Sequence, residues 1–377
     1  MNYLLGHSFG RYHIIERLGE GGMATTFKAY DTHKEKYVAL IVVRVVKELS
    51  EAQQQRLTET GKRLKQLSHP NLISVLDFGI HKGMPYLVTQ YENVHSLKHH
   101  SGLPLTPKKA AELLVPIARA LEYLHNEGMI HGDVKPSNIL ISNDKKPLLA
   151  DVGATRVIEI AGKENIPDGG LGFGTPAYMA PEQVSGEAVD QRTDIYALGI
   201  VFFELITAQK PHDADTPLAV LAKQVHDPLI RPSKLNPAIP DHVEQIIYKA
   251  TAKNPEDRFQ TMGAFAKRLE GLIEEDKTEQ MILPQSHAPS QKQPSAPPPA
   301  PPIEKPSAKP PQSYTPPPMP VYVPPVPAPA KKFPWIWLII VFLLLTLCVV
   351  ICILAAIAFG LLTIPGGFQS TASAQYV

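Results

Sequence analysis

Four side chains with complementary chemistry stand near one another in the middle of the chain. Three belong to His131-Gly132-Asp133-Val134-Lys135-Pro136-Ser137-Asn138, and the fourth, Asp151, follows an apolar run and a turn. A carboxylate such as Asp133 can orient a hydroxyl group and accept its proton. Lys135, two residues on, can neutralise charge on a phosphoryl group in transfer. Asn138 offers a neutral amide oxygen and Asp151 a carboxylate, the hard donors that magnesium takes. A polar turn between two apolar runs uses the same residue types, so the octapeptide alone leaves both readings open.

These residues need elements to hold them. Ahead of the octapeptide, residues 107–128 place Ala111, Leu114, Ile117, Ala118, Leu121 and Leu124 at helical spacing, which predicts a core helix. Behind it, Ile139-Leu140-Ile141 reads as a strand, a turn follows at Asn143-Asp144, and a second strand leads into Asp151-Val152-Gly153. Nearer the start, strands are expected at 12–18, 25–30, 37–43, 72–78 and 86–90, with a helix over 49–67. The first two strands flank Gly19-Glu20-Gly21-Gly22-Met23-Ala24. Glycines between strands let backbone N–H groups approach phosphate oxygens with no Cβ in the way, although a plain hairpin turn looks the same.

In this order and spacing the motifs resemble those of protein kinases. The octapeptide matches H-R-D-x-x-x-x-N with Gly132 in place of Arg, and Asp151-Val152-Gly153 matches D-F-G with Val for Phe. Gly174-Thr175-Pro176-Ala177-Tyr178-Met179-Ala180-Pro181-Glu182 is an almost complete match to the segment that receives the substrate peptide. Asp194-Ile195-Tyr196-Ala197-Leu198-Gly199 resembles the helix that anchors the catalytic loop from below. Asn254-Pro255-Glu256-Asp257-Arg258-Phe259 carries the arginine that pairs with the family's glutamate, here Glu182. Lys135 and the Gly-Thr-Pro-x-Tyr segment resemble the serine/threonine branch, and the Gly-Met-Ala loop its bacterial eukaryotic-like members.

The resemblance implies an α+β, bilobal kinase-like fold over residues 11–271. A small β-rich lobe with one main helix would span about 11–92 and a larger helical lobe about 93–271. It also implies ATP and Mg2+. Asp133, Lys135 and Thr175 would be catalytic, and Asn138 and Asp151 would hold the metal. Gly19, Glu20, Gly21, Gly22, Thr26, Ala39, Gln90, Glu92 and Leu140 would surround the nucleotide, with Thr89 at the back of its pocket and adenine read by the hinge backbone at Gln90-Tyr91-Glu92.

The departures matter as much. Ala24 stands at the third glycine position and Thr26 at the usual valine. Ile41 stands where the family has its lysine, and Thr60 where it has the partner glutamate. Glu59 is one residue away, which turns its side chain by about 100° around a helix. Losing both partners is coherent, because a buried glutamate without its lysine costs about 3–5 kcal/mol. Ile41 and Thr60 are expected to face each other and to be restorable to an ion pair only together. Lys28, on the same strand face as Thr26, is either a replacement cation or an ordinary solvated lysine. Gly132 cannot pair with a loop phosphate, and residues 156–174 hold no Ser, Thr or Tyr, so loop phosphorylation is not expected to be the switch.

Composition sets the frame. The 377 residues carry a formal net charge of +1, so no nucleic-acid partner is expected. The two cysteines, Cys348 and Cys352, lie in an apolar run, which leaves no disulfide framework and no Cys-based zinc site. Residues 1–5 are too short for a signal-peptide core. Residues 283–334 are proline-rich and read as a disordered linker that favours extended polyproline II, a spacer or a docking site for a polyproline-binding partner. Residues 335–364 are uncharged and longer than the roughly 20 residues a transmembrane helix needs. Lys331 and Lys332 before the span place the kinase-like part in the cytoplasm and the tail, 365–377, outside. Cys348, Cys352, Ala356 and Gly360 recur at i, i+4, which suits a transmembrane homodimer or compositional scatter.

Three functions compete. The first is a membrane-anchored kinase that phosphorylates serine or threonine of a protein substrate. The second is a pseudokinase acting as a tethered binding module, which Ile41 and Thr60 favour. The third is a small-molecule phosphotransferase, whose loop also reads His-Gly-Asp but which has no need of the 174–182 segment.

Overall fold

Alternating side chains in the first ninety residues build a sheet with two unlike faces. The computed structural model describes residues 1–45, 48–99, 102–162 and 175–282. Six strands, β1 (Ser8–Phe9), β2 (Tyr12–Glu20), β3 (Ala24–Asp31), β4 (Lys36–Val43), β5 (Val75–His81) and β6 (Met84–Gln90), pair antiparallel in the order β1-β2-β3-β4-β6-β5. On one face Phe27, Ala29, Val38, Leu40 and Val42 pack with Leu4, Phe9, Tyr12 and Ile14. Leu4 and Phe9 precede the expected start at residue 11. The other face puts Met23, Ile41, Val43 and Leu87 into the main core. Ile41, matched to the family's lysine position, thus lies on the face opposite the Phe27–Leu40 cluster.

Residues 72–74, expected to open a strand, do not join this sheet. Ile73 donates its N–H to the Leu149 carbonyl at 2.9 Å, and Leu149 donates to the Asn71 carbonyl at 2.8 Å. The chain here pairs with the small sheet β7 (His95–Ser96), β8 (Ile139–Ile141) and β9 (Pro147–Leu149), ordered β7-β8-β9, through a parallel bridge between Leu72 and Leu149. That bridge ties the β-rich part to the two strands, β8 and β9, that lie between Asn138 and Asp151.

Helix α1 (Glu51–Gln66) begins at Ser50, whose hydroxyl accepts from the Gln53 N–H while the Gln53 side chain accepts from the Ser50 N–H. Its buried face is Leu57, Gly61 and Leu64. A Cβ at Gly61 would come within 2.1 Å of the Phe78 ring, so only glycine lets β5 approach this closely. Helix α2 (Pro107–Asn126) is capped by Thr106 and buries all six positions expected of it. It packs on α5 (Gln191–Thr207), which is buried almost all round, and on α9 (Met262–Ile282), which runs past the expected boundary at 271.

One element is new. The sequence reading placed Asp151-Val152-Gly153 between strands, but α3 (Ala154–Ala161) follows it directly. Ala154, Val157, Ile158 and Ala161 recur at i, i+3, i+4, i+7, the helical pattern. Residues 163–174, the proline-rich linker 283–334, the expected span 335–364 and the tail 365–377 lie outside the described residues. Among the described residues no helix is long and apolar enough to cross a membrane.

Candidate active site

The floor of the cleft is fixed by one buried carboxylate. Asp194, in the first turn of α5, accepts the backbone N–H groups of His131 at 2.9 Å and Gly132 at 2.8 Å. His125 Nε2 of α2 lies 2.8 Å from the same carboxylate. Burial alone would push the Asp194 carboxyl up, but the hydrogen bond and charge of His125, with the charge of His131 and the Gly132 N–H, hold it below the usual carboxylate range. His131 Nε2 lies 2.9 Å from the Ala150 carbonyl, tying the loop to the strand that delivers Asp151. The helix expected to anchor the loop from below does so.

On this base the expected polar residues converge. Lys135 Nζ donates to Asp133 Oδ2 at 2.6 Å. Asn138 Nδ2 donates to the Asp133 carbonyl at 2.8 Å and to its Oδ2 at 3.2 Å. That orientation uses the amide nitrogen and leaves Oδ1, 3.4 Å from Ser137 Oγ, for a cation. The Ala150 N–H donates to the Asn138 carbonyl at 2.8 Å, so Asn138 and Asp151 are tied through the backbone. Asp151 has φ 60°, a left-handed conformation that costs a non-glycine residue about 1–3 kcal/mol. Its carboxyl is pushed up first by burial and then by Asp133, against the downward pull of Lys135 and His131.

Magnesium fits this donor set. Two protein oxygens suit a small cation that keeps water and takes phosphate oxygens. Among the described residues no group of three or more His, Cys, Asp or Glu could form an all-protein cage. A carboxyl whose charged form is disfavoured by desolvation and by the charge of Asp133 is one that a cation would relieve.

The cleft above is a cavity of about 870 Å³. Asp133, Lys135, Asn138, Asp151 and Thr175 line its floor. Gly19, Glu20, Gly21, Gly22, Thr26 and Ala39 line its roof, and Gln90, Glu92, Leu140 and Thr89 its inner wall. Every expected site residue is therefore at one cavity. None of Gly19, Gly21 and Gly22 has a positive φ, and a Cβ at Gly19 would meet nothing within 4 Å. Gly19 thus leaves open space, while the Gly21 N–H closes the turn on the Ala24 carbonyl at 2.9 Å. A residue the sequence reading missed holds that loop: the Arg44 guanidinium donates to Glu20 Oε1 at 2.8 Å, the Gly21 carbonyl at 3.1 Å and Thr25 Oγ1 at 3.2 Å.

The roof lacks the family's ion pair. Ile41 is 2 % exposed and lines the cleft. Lys28 does not replace the lysine: its Nζ lies over the rings of Tyr37 at 4.9 Å and Tyr91 at 4.8 Å, beside the hinge, and it is not among the cavity's lining side chains. Glu59 is exposed and within 3.3 Å of Gln55 Nε2, turned away as expected. Thr60 is half-buried on α1, yet α1 packs on β5 and α3, while α3 packs on β4 and β6. Helix α3 thus packs on both of the elements that carry these positions.

The substrate-side edge is held by a second buried pair. Arg258 donates to both oxygens of Glu182, at 2.8 and 2.7 Å, with both side chains essentially without solvent contact. Burial raises the Glu182 carboxyl, but the hydrogen bonds and charge of Arg258 more than offset it and leave the group below its ordinary range. Glu182 lies in the first turn of α4 (Pro181–Ser185), from which Gln183 Nε2 donates to the Gly132 carbonyl at 3.0 Å. Gln183, also missed in the sequence reading, couples the 175–182 segment to the 131–138 loop.

This arrangement has relatives. A family model described as "Protein kinase domain" matches residues 12–269. Serine/threonine-protein kinase PknB of Mycobacterium tuberculosis is 34% identical over 261 residues, covering 68% of this chain and 42% of that protein. A probable serine/threonine-protein kinase PknB of Lactococcus lactis is 32% identical over 252 residues, covering 66% of this chain and 40% of that protein. The chain thus spans about two-fifths of the length of these curated relatives. The crystal structure of the Mycobacterium tuberculosis PknI kinase domain superposes with a TM-score of 0.55 at 24% identity, covering 71% of this chain and 98% of that one, a likeness of fold. With the family model matched across both lobes and the catalytic loop, metal-binding motif and Glu182–Arg258 pair assembled at one cleft, the chain belongs to the protein kinase domain family, among its bacterial eukaryotic-like serine/threonine members.

Proposed function

We propose that this protein transfers the γ-phosphate of Mg·ATP to serine or threonine hydroxyls of a protein substrate, slowly for its family. The observation that carries the reading is the contact of 2.6 Å between Lys135 Nζ and Asp133 Oδ2, beside Asn138 and Asp151. Bound Mg·ATP supplies the phosphoryl group and most of the charge neutralisation. Asp133 orients the incoming hydroxyl and takes its proton, and Lys135 holds a positive charge at the point of transfer. Thr175, on the cavity's edge, positions the peptide side. The missing roof lysine removes one charge-stabilising donor, worth about 10²–10³ in kcat. The apolar run at 335–364 and the preceding lysines support a single-pass anchor in the cell membrane, with the kinase domain cytoplasmic and the tail external. The i, i+4 ladder within that run supports a homodimer.

A second reading, a kinase-shaped binding module, is favoured by Ile41 buried in the roof with α3 packed on its strand. The small-molecule reading is disfavoured by the intact Thr175–Pro176 edge and the Glu182–Arg258 pair beside it. The deciding experiment measures phosphate transfer from labelled ATP by the full chain in detergent micelles, with casein as acceptor. The expected result is magnesium-dependent transfer that Asp133→Asn reduces to background. Transfer indistinguishable from the Asp133→Asn protein would establish the binding-module reading instead.

A further inference from the structure

One side chain outside the machinery described above is sealed from solvent and has every side-chain polar atom engaged. Gln224, on α6 (Pro217–His226), has no solvent exposure. Its Nε2 donates to the Ala177 carbonyl at 2.5 Å and to the Pro176 carbonyl at 3.2 Å. Its Oε1 accepts the Tyr196 hydroxyl of α5 at 2.6 Å. Its backbone carbonyl accepts from Lys253 Nζ at 2.6 Å, and Lys253 Nζ also stands 3.4 Å from Nε2 of the buried His212. Pro176 and Ala177 follow Thr175 directly, so Gln224 reaches the acceptor side of the cleft without itself lining the cavity.

The chemistry of that place selects an amide. The Tyr196 hydroxyl needs an acceptor and the two carbonyls need a donor, and a glutamine side chain offers both ends at once. A carboxylate would keep the hydroxyl but set a charge against two carbonyl oxygens, and an apolar chain of the same length would satisfy neither. The carbonyls need an outside donor because of their local structure. Residues 176–178 form a single 3₁₀ turn, closed by the Tyr178 N–H on the Thr175 carbonyl at 3.0 Å and by the Met179 N–H on the Pro176 carbonyl at 3.4 Å. Such a turn has poorer hydrogen-bond geometry than an α-helix and few bonds of its own to hold its shape. Pro176, Tyr178 and Met179 line the cavity, as does Pro217, the first residue of α6. Helix α6 thus supplies both a lining residue and the anchor of the turn beside it.

We propose that Gln224 is the positioning residue of the acceptor edge: by fixing the Pro176 and Ala177 carbonyls it holds the turn after Thr175 in the shape on which a protein substrate docks, and so sets affinity for the acceptor and not for the nucleotide. This rests on the reading of that edge as the place that receives a protein serine or threonine. Gln224 touches neither substrate nor nucleotide and acts through the turn. Lys253 and Tyr196 act one step further back. Lys253 Nζ holds the Gln224 backbone near the end of α6, and the Tyr196 hydroxyl fixes which end of the amide faces the turn. The floor of the cleft is held separately, by Asp194 under His131 and Gly132, so loosening the turn leaves Asp133, Asn138 and Asp151 in place.

The test uses the full chain in detergent micelles with Gln224→Met, which keeps length and bulk but donates nothing to the carbonyls, and with Gln224→Glu. Initial rates of transfer to casein give kcat and the KM of each substrate. Binding of fluorescently labelled casein, with magnesium and a non-hydrolysable ATP analogue, gives affinity without transfer. Gln224→Met is expected to raise KM and Kd for casein about fivefold, with kcat and KM for ATP unchanged. Gln224→Glu is expected to do the same at about pH 8 and to recover toward wild type, compared at the same pH, at about pH 6. Its buried carboxyl there carries a proton that it can donate to a carbonyl. A loss of kcat with KM for casein unchanged overturns the proposal, as does an equal rise in KM for ATP, no change in either variant, or no casein binding by the wild type. Should Gln224→Met lose amide-exchange protection in α5, it has unfolded and the pH response of Gln224→Glu alone decides. A wild type that binds casein but transfers no phosphate would defeat the kinase reading, and the Kd values then decide the positioning role by themselves.

Discussion

The floor and the roof of this cleft are built by opposite means. The floor is polar to its base: Asp194 holds the loop backbone, Arg258 holds Glu182, and the Asp133–Lys135 pair stands above them. The roof is apolar where a kinase roof is ionic, with Ile41 on β4 and the buried face of α3 packed against the sheet. Buried charges in the floor persist because each has its partner, and removing one member leaves the other desolvated. The roof lacks both members of its pair, and an apolar helix face packs on the strand and the helix that carry those positions. Groups that touch substrate need directional bonds, whereas a region freed of its charges can be filled by shape alone.

The comparison can be broken most severely at the floor. Arg258→Ala leaves the Glu182 carboxylate buried and unpaired, and the expected loss is about 3–5 kcal/mol in urea unfolding. A loss below about 1 kcal/mol would mean that the floor does not depend on its ion pair. In the roof, Ile41→Lys should cost less, about 2–3 kcal/mol, because the ammonium faces packed hydrocarbon but has an open cavity beside it. The sequence alone suggests that Thr60→Glu would rescue it. With α3 packed on the elements carrying both positions, the two changes should instead add within about 0.5 kcal/mol. Coupling should appear only when Val157→Glu has removed α3, and strong coupling without that change would place positions 41 and 60 in direct contact. The smallest effect belongs to the junction of floor and roof. Gly132→Ala imposes a Cβ at φ 75° and 3.0 Å from Thr155 Cγ2, for an expected loss of about 1–2 kcal/mol. Thermal unfolding of that variant unchanged from wild type would show that α3 yields to it freely.

Much of the floor was legible because its chemistry is written in short stretches. Residues 131–138, 151–153 and 175–182 each carry their functional groups within a few positions, and α2 announced itself by six apolar residues at helical spacing. Ile41 was placed on the cleft side by its match to the family's lysine position. The missed residues have no local signature. Arg44 is an ordinary arginine after a strand until the chain reverses twice and brings Glu20 and Gly21 beside it. Gln53 reads as a helix cap, and only docking of a segment about a hundred positions away adds its bonds to the Ile160 and Ala161 carbonyls. Lys28 shared a strand face with Thr26, but strand direction carried it toward Tyr91 and the hinge rather than toward the phosphates.

By itself the sequence determined which groups could do chemistry, their order along the chain and which strand face each would take, because these follow from side-chain type and from periods of two and 3.6. The tertiary structure decided what packs on the elements that carry positions 41 and 60. The apolar spacing in 154–161 was present to be read, but an eight-residue helix has too little stability of its own to reveal its presence. Its existence depends on surfaces contributed by α1, β4 and β6, which only the folded chain brings together.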